Sequence, residues 1–565
     1  MKFFDKLQVA TTKRSVENLD SFHVTTTDFG RLDVPYVNEV VEGEDIEFQM
    51  KSYFDAACMV VPTRGRVFLN VRAFFVPNRI LCDKNYFDWN LWRTGLTSNA
   101  HPYILESELE TLYNGSGSGT LTDAAECKDL RRLYSQLGLP SRIYNTLSSN
   151  IHYENIERIS PFPFFAYNRI WWDWYRDSNL IDDSQFSNYC GLCRSGEVHI
   201  NTWFRPRYAC YGKDYFTTAK LNPQEGVVSA GTRAEISDQS IAAPSNPNNS
   251  LNYYGTIIDP TVNSYYNVSV QFLRAANALQ RILERNNIAG GRVMARFLAR
   301  FGQAPDSVRL DQSEYLGGNS YIMSIGGITS PLQAGDAGSP VNPFIDDTVS
   351  MAGQRVGRGV IEGTTPVIRY HAKEHGVFMV IATLIPEVGY YQGLHKMWTR
   401  GVKNVREDYL TPECECLGYE PIYGKELAMQ DSEEDTGNNS LWGFSRRYGS
   451  YCYKNNIVSG DMVLSETRTG MEAFHLLRDF RGSDGYIDQP ALNANFTMIA
   501  TAARKQFDRI FQIIGNAGDY DHFEGYHECR CRAVLPKSPN AMPSLEEDSH
   551  SSGKHIQIDN GGTRF

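Results

Sequence analysis

Two histidines and three pairs of cysteines have the types and spacings from which metal sites are built. His371 and His375 fall in the pattern H-x-x-E-H, which on a helix puts both imidazoles on one face, one turn apart, for a zinc ion. Here the pattern follows VIRY (367–370) and runs through Gly376 into a long apolar run of strand character. On a strand, residues four apart share a face but stand about 13 Å apart, too far for one ion. Cys190 and Cys193, Cys414 and Cys416, and Cys529 and Cys531 with His527 nearby have ligand-like local spacing. A structural zinc site needs two such pairs to meet, and their separations match no zinc module. The eleven cysteines are odd in number and scattered, as expected of reduced thiols. The sequence holds no dinucleotide fingerprint, P-loop or nucleophile elbow. The expectation is therefore no catalytic residue, no cofactor and no metal.

The other candidates are binding residues. Arg292, Arg296 and Arg300 recur every fourth residue, opposite Val293, Phe297 and Phe301. On a helix they form a basic stripe that could touch phosphate or serve as a solvated or salt-bridged face. The densest feature is SPFPFFAYNRIWWDWYRD (160–177), in which eight of eighteen residues are aromatic. Pro163 suits a first helical turn. At 100° per residue Phe164, Tyr167, Trp171, Trp174 and Tyr175 fall within one 100° arc, with Arg169, Asp173 and Arg176 opposite. Phe165 and Trp172 lie on a shoulder between the two. Eight aromatics bury roughly 1,200–2,000 Å², more than a soluble monomer exposes in one patch. The five-residue face is thus predicted to anchor the helix in the core. The shoulder pair, Phe165 and Trp172, is predicted to reach a neighbouring subunit, because tryptophan is enriched at interface hot spots; a sugar- or base-stacking platform is the other use of Trp172.

These residues need a scaffold. Residues 64–79 read as one strand, with Val67, Leu69, Val71, Ala73 and Phe75 on one face, Asn70 and Arg72 on the other, and Pro77 ending it. VFMVIATLIP (377–386) is a continuous apolar run of strand length, as expected of a strand covered on both faces. Shorter strand-like runs recur at 45–60, 208–219 and 450–464. Helical periodicity appears at 129–137, stopping at Gly138, and at 270–285, with Leu273, Ala276, Leu279 and Leu283 on one side and Asn286 and Asn287 as stops. A second helix is expected after Gly291. Strands so far apart in sequence argue against alternating βα units and for an all-β core with elaborate insertions.

Composition bounds the function. The chain has 565 residues, 41% hydrophobic and 12% aromatic, with a formal charge of −11. A protein binding nucleic acid over its whole surface would be basic, so any such contact is local. There is no apolar run long enough to span a membrane. The opening MKFFDKLQVATTKRS has no apolar h-region, so no signal peptide is expected. That weighs against one rival reading of an aromatic-rich chain, a secreted carbohydrate-active enzyme; the length and the continuous body weigh against the other, a carbohydrate-binding β-sandwich.

FFAYNRIWWDWYRDSNL (164–180) resembles a signature of the major capsid proteins of the Microviridae, closest to the gokushovirus-like branch of these small icosahedral single-stranded-DNA phages. The similarity continues in order through AFFVPNR (73–79), LGLP (137–140), GKDYFTTAKLNPQEG (212–226), RLDQSEYLGG (309–318), EHGVFMVIA (374–382), YYQGLHKMWTR (390–400), HLLRDF (475–480) and LNANF (492–496). The resemblance implies a mainly β subunit, a single eight-stranded antiparallel jelly roll of viral capsid type whose long loop insertions contain short helices. It would occupy 1–565 as one continuous body. The resemblance further implies a T=1 shell of about 60 copies, built from pentamers with a scaffolding protein in the bacterial host cytoplasm. The virion would enclose circular single-stranded DNA with a small basic DNA-binding protein and would meet a host surface receptor. Residues 227–269 match nothing familiar and stand where relatives carry an insertion forming a threefold protrusion; the polar tail at 537–565 has no counterpart either.

Overall fold

A computed structural model describes residues 14–105 (except 94 and 96), 124–139, 158–199, 202–223, 270–289, 311–329, 355–400, 409–430, 437–463, 471–481, 487–512 and 520–537, with isolated positions at 295–302. The architecture is mainly β, with antiparallel sheets and short helices. In chain order the strands are β1 (Ser15–Asn18), β2 (Ser21–Thr27), β3 (Asp33–Val40), β4 (Asp45–Ala56), β5 (Val67–Pro77), β6 (Glu314–Ile322) and β7 (Ser324–Thr329). They continue with β8 (Arg355–Thr364), β9 (Ile368–His371), β10 (Gly376–Pro386), β11 (Tyr419–Tyr423), β12 (Leu441–Arg446) and β13 (Phe523–Leu535).

A seven-stranded sheet runs β1-β13-β4-β8-β7, with β2 also paired to β13 and β9 to β4; a four-stranded sheet runs β3-β10-β5-β6. One core lies between them. Ile46, Phe48, Met50 and Phe54 of β4 and Phe523, Cys529, Cys531 and Ala533 of β13 meet Val67, Leu69, Val71 and Phe75 of β5 and Phe378, Val380 and Leu384 of β10. A second core covers the far side of the four-stranded sheet, where Phe74, Val76, Val377, Met379 and Ile381 pack under the aromatic helix. β10 is therefore buried at ten of its eleven positions, all but Thr383 of them without a polar side chain, because both its faces are covered. β5 changes character along its length: it alternates from Val67 to Arg72 and is wholly buried from Ala73 to Pro77. The helical layer thus covers one end of the outer face and leaves Phe68, Asn70 and Arg72 outside it. A two-stranded sheet, β11-β12, sits beside a third core around Phe216, Tyr390, Trp442 and Phe496.

The expected strands at 64–79, 377–386 and 45–60 correspond to β5, β10 and β4. Two others are corrected. Residues 208–219 make only isolated bridges at Tyr208 and Cys210 and then turn, because the Asp214 carboxylate accepts the N–H groups of Phe216 (2.9 Å) and Thr217 (2.7 Å). Residues 450–464 form a short helix, Gly449–Cys452, entered through left-handed Tyr448 (φ 58°), and later a turn at Gly460–Met462. The helix expected at 129–137 runs Ala124–Gln136 and stops before Gly138, whose φ is +92°. The helix expected at 270–285 runs Val270–Ala289, past its expected stops. Asn287 is buried there and donates its amide to the Asn222 carbonyl (3.1 Å), so tertiary contact overrides the stop signal. Residues 227–269 lie outside the described residues, as does nearly all of the helix after Gly291 and of the tail.

Candidate functional site

The aromatic helix runs Phe162–Ile170 with Pro163 in its first turn, then widens into a π-helical turn, Trp171–Tyr175. Phe164, Tyr167, Trp171 and Tyr175 are buried in the outer core and Trp174 is partly buried against it. Polar atoms of these rings tie the helix to the strands and loops beneath. The Tyr167 hydroxyl donates to the Leu32 carbonyl (3.0 Å) and accepts from the Arg207 N–H (3.0 Å). Trp171 Nε1 donates to the Tyr208 carbonyl (3.0 Å) and Trp174 Nε1 to Ser313 Oγ (3.0 Å). On the polar side Arg169 pairs with Asp173 (3.1 Å), and Asp173 also accepts from Ser313 N–H and Oγ, each at 2.8 Å.

Phe165 and Trp172 are placed differently from the sequence expectation. Both are buried inside their own subunit, at 1% and 5% exposure. Phe165 packs edge-on to Trp203 and Phe204. Trp172 is covered by Phe186 on its edge (5.2 Å) and by the Arg176 guanidinium 3.7 Å from its ring centre. Within the subunit Phe186, Tyr189, Trp203 and Phe204 lie across the shoulder and give the helix a second covered face. Arg176 is drawn into this cover and pairs with Asp183. A uniform 100° helix could not anticipate the wider π turn.

A second constellation had no signal in the sequence. Arg31, only 2% exposed, pairs with Asp33 (2.7 Å), Asp521 (2.8 Å) and Asp129 (3.2 Å). Arg504 pairs with Asp129 and with Asp28 (3.5 Å), and His522 bridges Asp28 (3.1 Å) and Asp508 (3.4 Å). Gln136 joins the group: its Nε2 donates to Asp33 (2.9 Å) while its Oε1 accepts the Val34 N–H (2.9 Å). Burial opposes the Asp521 charge, but Arg31 and Arg132 hold its carboxyl at about 2. The folded value lies below the unfolded one near 3.9, so the stabilisation from Asp521 is present above about pH 4 and is lost as pH falls toward 2. Burial pushes Asp508 up to about 6. The centre joins the β2–β3 connection, the 124–136 helix, the 501–504 helix and the start of β13.

The metal-like spacings have structural explanations. His371 closes β9 with Nδ1 2.6 Å from Asp45, whereas His375, beyond a turn, accepts the Glu42 N–H (2.9 Å). Cys529 and Cys531 share the inward face of β13, so their spacing is that of a strand. Burial pushes Cys190 up to about 12 and holds His527, beside Ser52, at about 3. Arg292, Arg296 and Arg300 lie outside the described residues.

What the geometry of the described residues provides is a body with layered cores. The family described as Capsid protein (F protein) matches residues 5–538. The chain belongs to that family of phage capsid proteins. Capsid protein VP1 of Bdellovibrio phage phiMH2K is 23% identical over 541 residues, covering 87% of this chain and 91% of that protein. VP1 of Chlamydia phage 1 is 22% identical, covering 87% and 90%, and VP1 of Spiroplasma virus 4 is 22% identical, covering 82% and 83%. All three are Microviridae capsid proteins, as the sequence resemblance implied. This capsid protein is a structural component of the virion, not an enzyme, and its partner is its own kind in a shell. Among the described residues no helix is long and apolar enough to cross a membrane.

Two outcomes are expected for the capsid protein. Trp172→Ala removes a buried ring and its stacked cation, so urea unfolding of the subunit should show a loss of about 3–5 kcal/mol; unchanged folding with defective assembly would instead restore the interface role. Arg31→Met leaves buried Asp33 without its cation and takes one of the cations from Asp129 and Asp521, and should cost about 3–5 kcal/mol in the same assay, with wild-type unfolding free energy at pH 7 as the contrary result.

Proposed function

We propose that the chain is the major subunit of a T=1 icosahedral shell of about 60 copies enclosing a circular single-stranded DNA genome. The observation that carries this reading is the family match from residue 5 to residue 538, which spans all the described strands. The body itself supports a jelly roll. β3 and β4, β4 and β5, β6 and β7, and β9 and β10 each lie in opposite sheets, so the chain repeatedly crosses between them as a jelly roll requires. In this reading residues 1–565 form one eight-stranded jelly-roll subunit with added strands and long insertions. Pentamers assemble in the host cytoplasm with a scaffolding protein.

Partners follow from charge. An acidic chain needs help to coat DNA, which a small basic DNA-binding phage protein supplies; Arg292, Arg296 and Arg300 are the sequence's candidates for direct phosphate contact. Residues 227–269 form a threefold protrusion that meets the host receptor, motivated by the Asn-, Ser- and Tyr-rich SNPNNSLNYYG (245–255), and 537–565 form a polar tail.

Light scattering and negative-stain imaging of the purified protein, with and without its neighbouring phage proteins, test the assembly. Spherical shells of about 60 subunits, or pentamers feeding them, are expected; a chain that stays monomeric at high concentration with those helpers present would overturn it. Deleting 230–262 should leave shells intact and abolish host attachment, whereas normal attachment would remove the receptor role.

A further inference from the structure

Where the helical layer stops short on the four-stranded sheet, the outer face is open. Two adjoining cavities of about 450 and 420 Å³ lie there and share Arg72 and Trp174. Their floor is β5 and β6: Phe68, Asn70 and Arg72 on one strand and Ser320 on the next, with Arg72 opposite Gly318 and Asn70 opposite Ser320. A Cβ at Gly318 would collide with the Val71 carbonyl and the Arg72 backbone, so glycine leaves the floor beside Arg72 without a side chain. The wall is the end of the aromatic helix. Trp174 is partly buried, and Tyr315 is half exposed with its ring 5.7 Å from that of Trp174.

Charge sets this trough apart from the rest of an acidic chain. Among the described lining residues, Arg72, Arg176 and Lys213 face a single carboxylate, Asp177. Lys213 pairs with Asp177 (3.0 Å) and Arg176 with Asp183. Arg72 has no carboxylate or hydrogen-bond partner among the described residues; its guanidinium stands 6.0 Å from the Tyr175 ring centre. A guanidinium with no anion among the described residues, next to accessible indole and phenol faces and to the Asn70 amide, whose Oδ1 accepts from the Ser320 hydroxyl (2.5 Å) and whose N–H groups can still donate, makes three kinds of offer at once. A neutral sugar would use the rings and the polar groups and leave the cation idle. A nucleotide uses all three: phosphate on the cation, base on the rings, and an acceptor of base or sugar on the Asn70 amide N–H.

We propose that this trough binds a nucleotide unit of single-stranded nucleic acid, with Arg72 taking the phosphate and Trp174 and Tyr315 the base. The proposal rests on the reading of the chain as a shell subunit around single-stranded DNA and assigns that contact to the face of the four-stranded sheet next to the aromatic helix. The volume suits such a ligand, since small-molecule sites span about 300–1,000 Å³. Base stacking carries no sequence preference, as packaging a whole genome demands.

The test is binding of a short oligothymidylate to the purified full-length protein, followed by fluorescence anisotropy across a salt series. Arg72→Ala should weaken binding roughly tenfold and lower the salt slope by about 0.7, the value of one phosphate contact on a single strand. Arg72→Lys should recover part of the loss. Because Arg72 makes no ion pair among the described residues, both variants should melt as the wild type does, which separates lost binding from lost folding. Unchanged affinity and salt slope in Arg72→Ala would overturn the proposal. So would displacement of the oligonucleotide by a maltooligosaccharide but not by inorganic phosphate, which would mark a sugar site. Wild-type protein that forms shells yet binds no oligothymidylate would also reject the trough while leaving the shell reading intact; oligothymidylate binding without shells would do the reverse.

Discussion

Arg31 can be buried only because carboxylates from distant parts of the chain close around it. Asp521, 490 residues away, and Asp129, 98 residues away, share one of its nitrogens, while Asp33 takes another. A guanidinium left unpaired in that position would be intolerable, so the β2–β3 connection, the 124–136 helix and the start of β13 must be brought together or the fold does not close. Arg504 repeats the arrangement from a fourth segment, sharing Asp129 with Arg31. β13, which this centre positions, is the strand on which β1, β2 and β4 all pair.

Around that centre the subunit is built in layers. β10 lies between two cores, with alternate residues feeding each. The aromatic helix seals the outer core and is in turn covered by the segment that follows it. Its rings work in pairs with cations of the same chain, Arg176 over Trp172 at 3.7 Å and Arg207 over Trp171 at 4.9 Å. A wealth of aromatics that might be read as adhesive surface is therefore internal structure. What the subunit offers outward at this place is the gap beyond the helix, where Trp174 and Tyr315 remain accessible.

Much of this was legible in the sequence, and the exceptions have physical causes. β5 and β10 were legible because a two-residue period and an unbroken apolar run are direct records of one-sided and two-sided burial. The core role of Tyr167 and Trp171 followed from helical spacing. The burial of Trp172 within its own subunit was not legible because spacing describes one helix face and contains nothing about a later loop folding over it. Residues 208–219 have strand composition, yet Asp214 captures the backbone N–H groups that a ladder would have used. The ionic centre was invisible: Arg31, Asp129, Arg504 and Asp521 have no local pattern, and only the tertiary fold brings them together. Family resemblance carried what spacing could not, since the blocks at 73–79, 164–180 and 374–382 belong to the strands and helix around which the outer core forms.

The joining of Arg31 to Asp521 has a temporal side. On a ribosome adding about 5–20 residues per second, the 490 residues between them take roughly 25–100 s to make. Throughout that interval β1, β2 and one edge of β4 lack the strand they pair with, and Arg31 lacks one of its three carboxylates. The nascent subunit is therefore an incomplete sheet with open edges for most of its synthesis, the kind of species that pairs with the wrong partner. Folding becomes an end-of-chain event: the last described strand completes what the first ones began, and a truncated product cannot pass as a finished building block.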